Sequence, residues 1–109
     1  MNVVLLDTGP LIALLDVRDP AHPFVDERLG DLKGRVFTTA AIVTEAMFHV
    51  ENLQNGPERL VRFLGQLQAE IADVFDPPSL RAATTLMNAY RDTLMDLGDA
   101  TLVVLAGSA

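Results

Sequence analysis

The first ten residues limit the choice of fold more than any other stretch. Asn2 to Leu6 is a short apolar run with two adjacent valines, suited to a buried strand. Asp7 follows at once, and Thr8-Gly9-Pro10 begins another element. A proline fits the first turn of a helix, because the N–H it lacks would have no partner there. Leu11-Ile12-Ala13-Leu14-Leu15 continues as that helix. A carboxylate thus stands where a strand hands over to a helix. In open α/β sheets this is the rim where ligands bind. The remaining question is which other acids return to Asp7.

The chain goes on in alternation. Asp16 to Pro23 reads as a loop by its prolines and aspartates, and Phe24 to Leu29 as a short helix stopped near Gly30 and Gly34. Arg35 to Thr38 is a second strand, and Thr39 is a helix N-cap. Ala40 to Gln54 has a helical period through Ile42, Val43, Ala46, Met47, Val50 and Leu53. Asn55-Gly56-Pro57 ends it. Pro57 to Ala69 is amphipathic, with Leu60, Phe63, Leu64 and Leu67 on one side and Val61 widening the stripe. Ile71 to Phe75 is a third strand. Asp76-Pro77-Pro78-Ser79 stops it, with Ser79 as a cap for a helix from Leu80 to Tyr90. Met95 to Ala106 is the last element. Its tail from Leu102 is apolar all round, which predicts burial. Strands alternating with helices predict an α/β fold with a parallel sheet, in one domain over residues 1–109.

Half of the 109 residues are hydrophobic, enough for one core and too many for a disordered chain. With no cysteine, disulfides, thiolate metal sites and cysteine nucleophiles are excluded together. That fits a reducing, cytoplasmic setting. No apolar run reaches the roughly 18 residues of a membrane span, and Asp7, Pro10 and Asp16 interrupt the N-terminal one. The formal net charge of −7 argues against nucleic-acid binding by a plain basic patch. It leaves room for an acidic site that recruits metal ions.

Three places set an acid beside apolar structure: Asp7, Glu45, and the pair Asp96 and Asp99. Each has a bland reading. Asp7 could cap the first helix. Glu45 could face solvent. Asp96 could be an N-cap with Asp99 three residues on, both favoured by the helix dipole. The bland reading is weakest for Asp99, whose helix is apolar. If the acids converge, two carboxylates about 4 Å apart repel by roughly 4 kcal/mol at an effective dielectric near 20. A cluster must then hold protons or cations. Oxygen ligands alone favour a hard ion such as Mg²⁺ or Mn²⁺. Such an ion can activate water and stabilise charge on a phosphodiester. His22 and His49 lie on different segments, and a surface role suits each better than ligation, although His49 is four residues after Glu45. A haloacid-dehalogenase-like site would need a second Asp where Gly9 stands. There is no Gly-rich phosphate loop and no nucleophile elbow.

Four stretches, VVLLDTGPLIALLD from Val3, DPAHP from Asp19, FTTAAIVTEAMFHV from Phe37 and MDLGDATLVVLA from Met95, span nearly the whole chain. Together they resemble the PIN-domain family, especially the small VapC-like toxins of toxin–antitoxin pairs. The resemblance implies a PIN-like three-layer α/β/α sandwich and metal-dependent endonuclease action on RNA. It implies Mg²⁺ or Mn²⁺ held by Asp7, Glu45 and Asp99, with Asp96 as an additional acid and Thr8 as the hydroxyl residue after the first Asp. It also implies an antitoxin partner and a homodimer.

The pattern departs from the family after the late helix. A further strand, a closing helix and a fourth acid, commonly in Thr-x-Asp, have no counterpart up to Ala109. The departure implies a shortened domain with weak turnover. Its alternative function is an impaired PIN-like binding module that keeps dimer and antitoxin surfaces. The two amphipathic stripes, Leu60–Leu67 and the C-terminal helix, are the expected contributors to a homodimer contact.

Overall fold

In a computed structural model, which describes residues 3–30, 34–93 and 95–107, a parallel three-stranded sheet runs in the order β1-β2-β3. β1 is Val3–Leu5, β2 is Arg35–Thr39 and β3 is Glu70–Ala72. Val4 pairs with Val36 and Leu5 with Phe37, and Thr38 pairs with Ile71. The ladder continues one residue beyond β1, where Leu6 N–H donates to the Phe37 carbonyl at 2.8 Å. Helices α1 (Thr8–Leu15) and α2 (His22–Gly30) connect β1 to β2. Helices α3 (Ala40–Val50) and α4 (Gly56–Gln66) connect β2 to β3. Helix α5 (Pro77–Ala89), a 3-10 turn over Arg91–Thr93 and α6 (Leu97–Gly107) follow. The alternating order and the parallel sheet are those read from the sequence. Asn2, the expected first residue of the first strand, and the terminal Ser108 and Ala109 lie outside the described residues.

The core lies among α1, α3, α4 and the sheet. Leu11, Leu15, Ile42, Val50, Leu60 and Leu64 form its centre together with Leu6 and Val36. α3 and α6 both touch β2, and α5 packs on α6. β2 is the central strand, and its Val36, Thr38 and Thr39 are buried.

Several local expectations change. The first strand is an edge rather than a buried strand, with Val3 52% exposed, because only β2 pairs with it among the described residues. α2 begins at His22, inside the expected loop. Asp19 accepts from Ala21 N–H at 2.8 Å, and Pro23 falls in the first turn, where a proline is tolerated. α3 stops at Val50, short of Gln54. Leu53 N–H turns back to the Val50 carbonyl, and Asn55 takes a left-handed φ of 57°. Gly56 then passes so close that a Cβ there would overlap the Val50 carbonyl. Only glycine permits that approach. α5 begins at Pro77, and its cap is Asp76, which accepts from Ser79 N–H at 3.2 Å. Ser79 therefore sits inside the first turn and is not the cap.

Both stripes assigned to a dimer contact also change. Leu60 and Leu64 are buried in the chain's own core, and Phe63 and Leu67 pack against it. Of the apolar stripe on α4, Val61 is left outside, 62% exposed. In α6, Gly98, Ala100 and Thr101 are the buried residues, whereas Val103 is exposed and Leu102 only half-buried. The apolar tail is therefore not buried all round, because α5 and α3 cover only part of α6.

Truncation should separate the two sides of α4. Leu60→Ala should cost about 2–5 kcal/mol of stability, as buried leucines do. Val61→Ser should stay within about 0.5 kcal/mol. Urea unfolding of the two variants measures both, and equal losses would mean that Val61 is covered.

Candidate active site

Three segments that converge at one end of the sheet bear the predicted acids. Asp7 directly follows β1. Its backbone is extended, and Oδ1 accepts from Thr8 N–H at 2.7 Å, so it caps α1. The helical and ligand-facing readings of Asp7 are compatible, since a carboxylate at a helix N-terminus keeps a second oxygen. The strand end is pinned by a buried threonine, whose Thr38 Oγ1 donates to the Leu6 carbonyl at 2.8 Å. That bond fixes the residue just before Asp7.

Glu45 lies in the second turn of α3, half-buried. Its carboxylate accepts a hydrogen bond from Thr8 Oγ1 at 3.0 Å, across 37 residues of sequence. The same carboxylate also lies against Gly98, in the first turn of α6. Thr8, expected as a supporting hydroxyl, thus touches the acid of a different helix. Glu45 does not face open solvent.

Asp96 and Asp99 form a reciprocal cap on α6. Asp99 N–H donates to Asp96 Oδ1 at 2.8 Å, and Asp96 N–H reaches Asp99 Oδ2 at 3.4 Å. This is the geometry of a capping box with aspartates in both places. Asp96 is exposed, and one of its oxygens is used by the cap. Asp99 is half-buried. Its carboxyl is pushed above the ordinary aspartate range, first by burial and then by the negative charges of Asp96 and Asp7. Repulsion from Asp7 links the α6 end of the site to the β1 end.

Among the described residues no ion pair joins these acids to a cationic side chain. The ion pairs of the described residues are Arg18 with Asp16 and Arg35 with Glu70, both elsewhere. His22 Nδ1 donates to the Ala13 carbonyl at 2.6 Å and ties α2 to α1. His49 is exposed, and its ring meets Phe48 edge-on at 5.9 Å. Neither histidine joins the acids. Among the described residues no three acidic or histidine side chains are grouped at the spacing of a metal-ligand set. Among the described residues the site is therefore an acidic corner without an ion-paired cation, and its donors are all oxygen. That donor chemistry suits a hard divalent ion.

Two residues at this corner escaped the reading of the sequence. Gly98 is buried against Glu45, and Thr101, also buried, donates to the Gly98 carbonyl at 2.8 Å. A glycine in the first turn of an otherwise apolar helix was the available signal for the first. Thr101 had none, because its partner Thr39 is 62 residues away.

No curated protein sequence matches the chain. A solved structure, the VapC20 toxin of Mycobacterium tuberculosis, described as a sarcin–ricin loop cleaving toxin, superposes with a TM-score of 0.80 at 15% identity. The match covers 98% of this chain and 82% of that one. At that identity the likeness is one of fold. The model of the PIN domain family matches residues 4–109, from β1 through α6. A parallel sheet with acids brought to one end, matched over nearly its whole length by that model, places this chain in the PIN-domain family.

Proposed function

We propose that the chain is a metal-dependent endoribonuclease of the toxin–antitoxin type, with RNA as substrate and a cognate antitoxin protein as its partner. The observation that carries this reading is the PIN domain match over residues 4–109, with Asp7, Glu45 and Asp99 on the segments after β1, after β2 and at the start of α6. Burial and the charges of Asp96 and Asp7 also raise the Asp99 pKa. A divalent cation would relieve that repulsion, and among the described residues no ion-paired side-chain cation does so. Asp7, Glu45 and Asp99 would hold Mg²⁺ or Mn²⁺, with Asp96 supporting. When bound, such an ion supplies positive charge against the phosphodiester and acidifies a water. The chain's own residues do the positioning. Thr8 orients the Glu45 carboxylate, and the Asp96 cap holds Asp99 in the first turn of α6. Membership of the PIN family and the fold shared with a sarcin–ricin loop cleaving toxin support the substrate class. The setting is cytoplasmic. No helix among the described residues is long and apolar enough to cross a membrane.

The chain pairs as a homodimer in this reading. Leu60, Phe63, Leu64 and Leu67 are taken up internally, so the contact falls to side chains left outside, such as Val103 on α6. Light scattering across a concentration series should show a dimer. A monodisperse monomer at high concentration would reject it.

Cleavage of RNA should require Mn²⁺ or Mg²⁺, stop with EDTA, and be abolished by Glu45→Gln. Cleavage that persists in EDTA would defeat the proposal. A cation bound by the native state alone should add about 2.7 kcal/mol of stability at one hundred times its dissociation constant. Asp7→Asn should remove much of that gain while keeping the cap, since asparagine caps well.

The crowding of Asp99 also sets a pH dependence. Its folded-state affinity for a proton is raised, so the native state binds more protons than the unfolded chain. Stability from this group is therefore lost as pH rises through the carboxylate range. Without metal, Asp99→Asn should raise the melting temperature at pH 7, and the gain should fade below the ordinary aspartate pKa. Thermal scans at both pH values test it, and a loss at pH 7 would mean that Asp99 is not crowded.

A further inference from the structure

We infer that Gly98 is the positioning residue for Glu45, and that its missing side chain is the seat of the Glu45 carboxylate. A Cβ built on Gly98 would lie 2.9 Å from Glu45 Oε2, 3.0 Å from Oε1 and 3.1 Å from Cδ. Real Cβ atoms scarcely ever approach so closely. The three nearest atoms all belong to one side chain, so the space is shaped by Glu45.

No backbone conformation requires glycine there. Among the described glycines only Gly34 has a positive φ, so the backbone of Gly98 suits any residue. Gly98 lies in the first turn of α6, where alanine would favour the helix by up to about 1 kcal/mol. A residue that weakens its helix, without any conformational need, is kept for the room it leaves.

Buried and half-buried hydrogen bonds hold the seat. Thr8 Oγ1 donates to Glu45 Oε2 at 3.0 Å from the α1 side. The Gly98 carbonyl accepts from Thr101 Oγ1 at 2.8 Å, and Thr101 Oγ1 meets Thr39 Oγ1 at 2.9 Å. Thr39 in turn caps α3, the helix that carries Glu45. The distance between Gly98 and the start of α3 is therefore set by buried hydrogen bonds rather than by the flexible carboxylate. Glu45 fits a slot whose walls do not depend on it. An added methyl would push the carboxylate off Thr8 and leave the walls in place.

Gly98→Ala tests this in the whole chain. The fold should survive with little change in melting temperature, because the displaced group is the far end of a flexible side chain. In a uniformly labelled protein the ¹³C carboxyl resonance of Glu45 should move, while that of the distant Glu58 stays. Mn²⁺ affinity, read by calorimetry, should fall roughly 10–100-fold, the usual effect of losing a group that orients a ligand. Glu45→Asp withdraws the carboxylate by one methylene. In that background Gly98→Ala should cost Mn²⁺ no further affinity. An unmoved Glu45 resonance, or an equal loss of affinity in both backgrounds, would overturn the inference. The Mn²⁺ readouts rest on the cation reading of the acidic corner, but the resonance does not. A wild-type chain that binds no Mn²⁺ would defeat that reading, and the Glu45 resonance would still decide for or against the seat.

Discussion

A buried row of hydroxyls holds this molecule in register. Thr101 Oγ1 donates to the Gly98 carbonyl, so the Thr39 hydroxyl donates to Thr101 Oγ1, and Ile42 N–H donates to Thr39 Oγ1. Both threonines are fully buried. A buried hydroxyl left unpaired costs about 1–3 kcal/mol, so a slip of α6 along α3 is opposed at each link. Thr38, the neighbour of Thr39 on β2, points the other way in sequence and clamps the end of β1 through the Leu6 carbonyl. Two adjacent threonines therefore locate three segments at once: the β1 end with Asp7, the α3 start leading to Glu45, and the α6 start with Asp99. Direction is what hydrogen bonds add here. Apolar packing of Leu11, Ile42 and Leu60 makes the core, but packing alone tolerates small shifts that would part the acids.

Much of the fold was legible in the sequence because its signals are local. Val3-Val4-Leu5, the Thr39 cap and the period through Ile42, Ala46 and Val50 each lie within one element, and each is where expected. The failures share a physical cause, since each depends on a neighbour distant in sequence. β1 read as buried because its residues are apolar, yet exposure depends on how many strands flank it. The Leu60–Leu67 stripe read as a contact for another chain because nothing local says that α1 and α3 already cover it. The end of α3 depends on how closely Gly56 approaches Val50. At the acidic corner, Asp7, Glu45 and Asp99 could be named because acids beside apolar elements are conspicuous. The contact of Glu45 with Thr8 and Gly98 could not, since it joins three helices.

Capping a helix and standing in the acidic corner are compatible for these acids. Asp7 and Asp96 each spend an oxygen on a helix N-terminus, and Asp99 sits inside the cap that Asp96 makes. Helix N-termini carry partial positive charge, which offsets some of the cost of assembling several carboxylates in one place. The same backbone dipoles that make each acid an ordinary cap allow them to be neighbours. Glu45 differs. It sits inside its helix, takes its hydrogen bond from Thr8, and faces the start of α6. It is the member of the group whose position owes most to tertiary structure.

The parallel sheet has a consequence for the order in which these parts come into being. Its strands cannot meet through tight turns. β1 pairs with β2 only after the chain between Leu5 and Arg35 has closed, and β2 with β3 only after that between Thr39 and Glu70. Such distant pairings form late and slowly compared with helices. The charges of Asp7 and Asp99 come within reach of each other only when the strands and α6 are in place. Their mutual repulsion is therefore absent from the barrier's early side and concentrated at its end. Like charges that come together last favour escape from the native basin over failure to reach it. A cation in that corner would act chiefly on the unfolding rate, lengthening the life of the folded chain with little effect on how fast it folds.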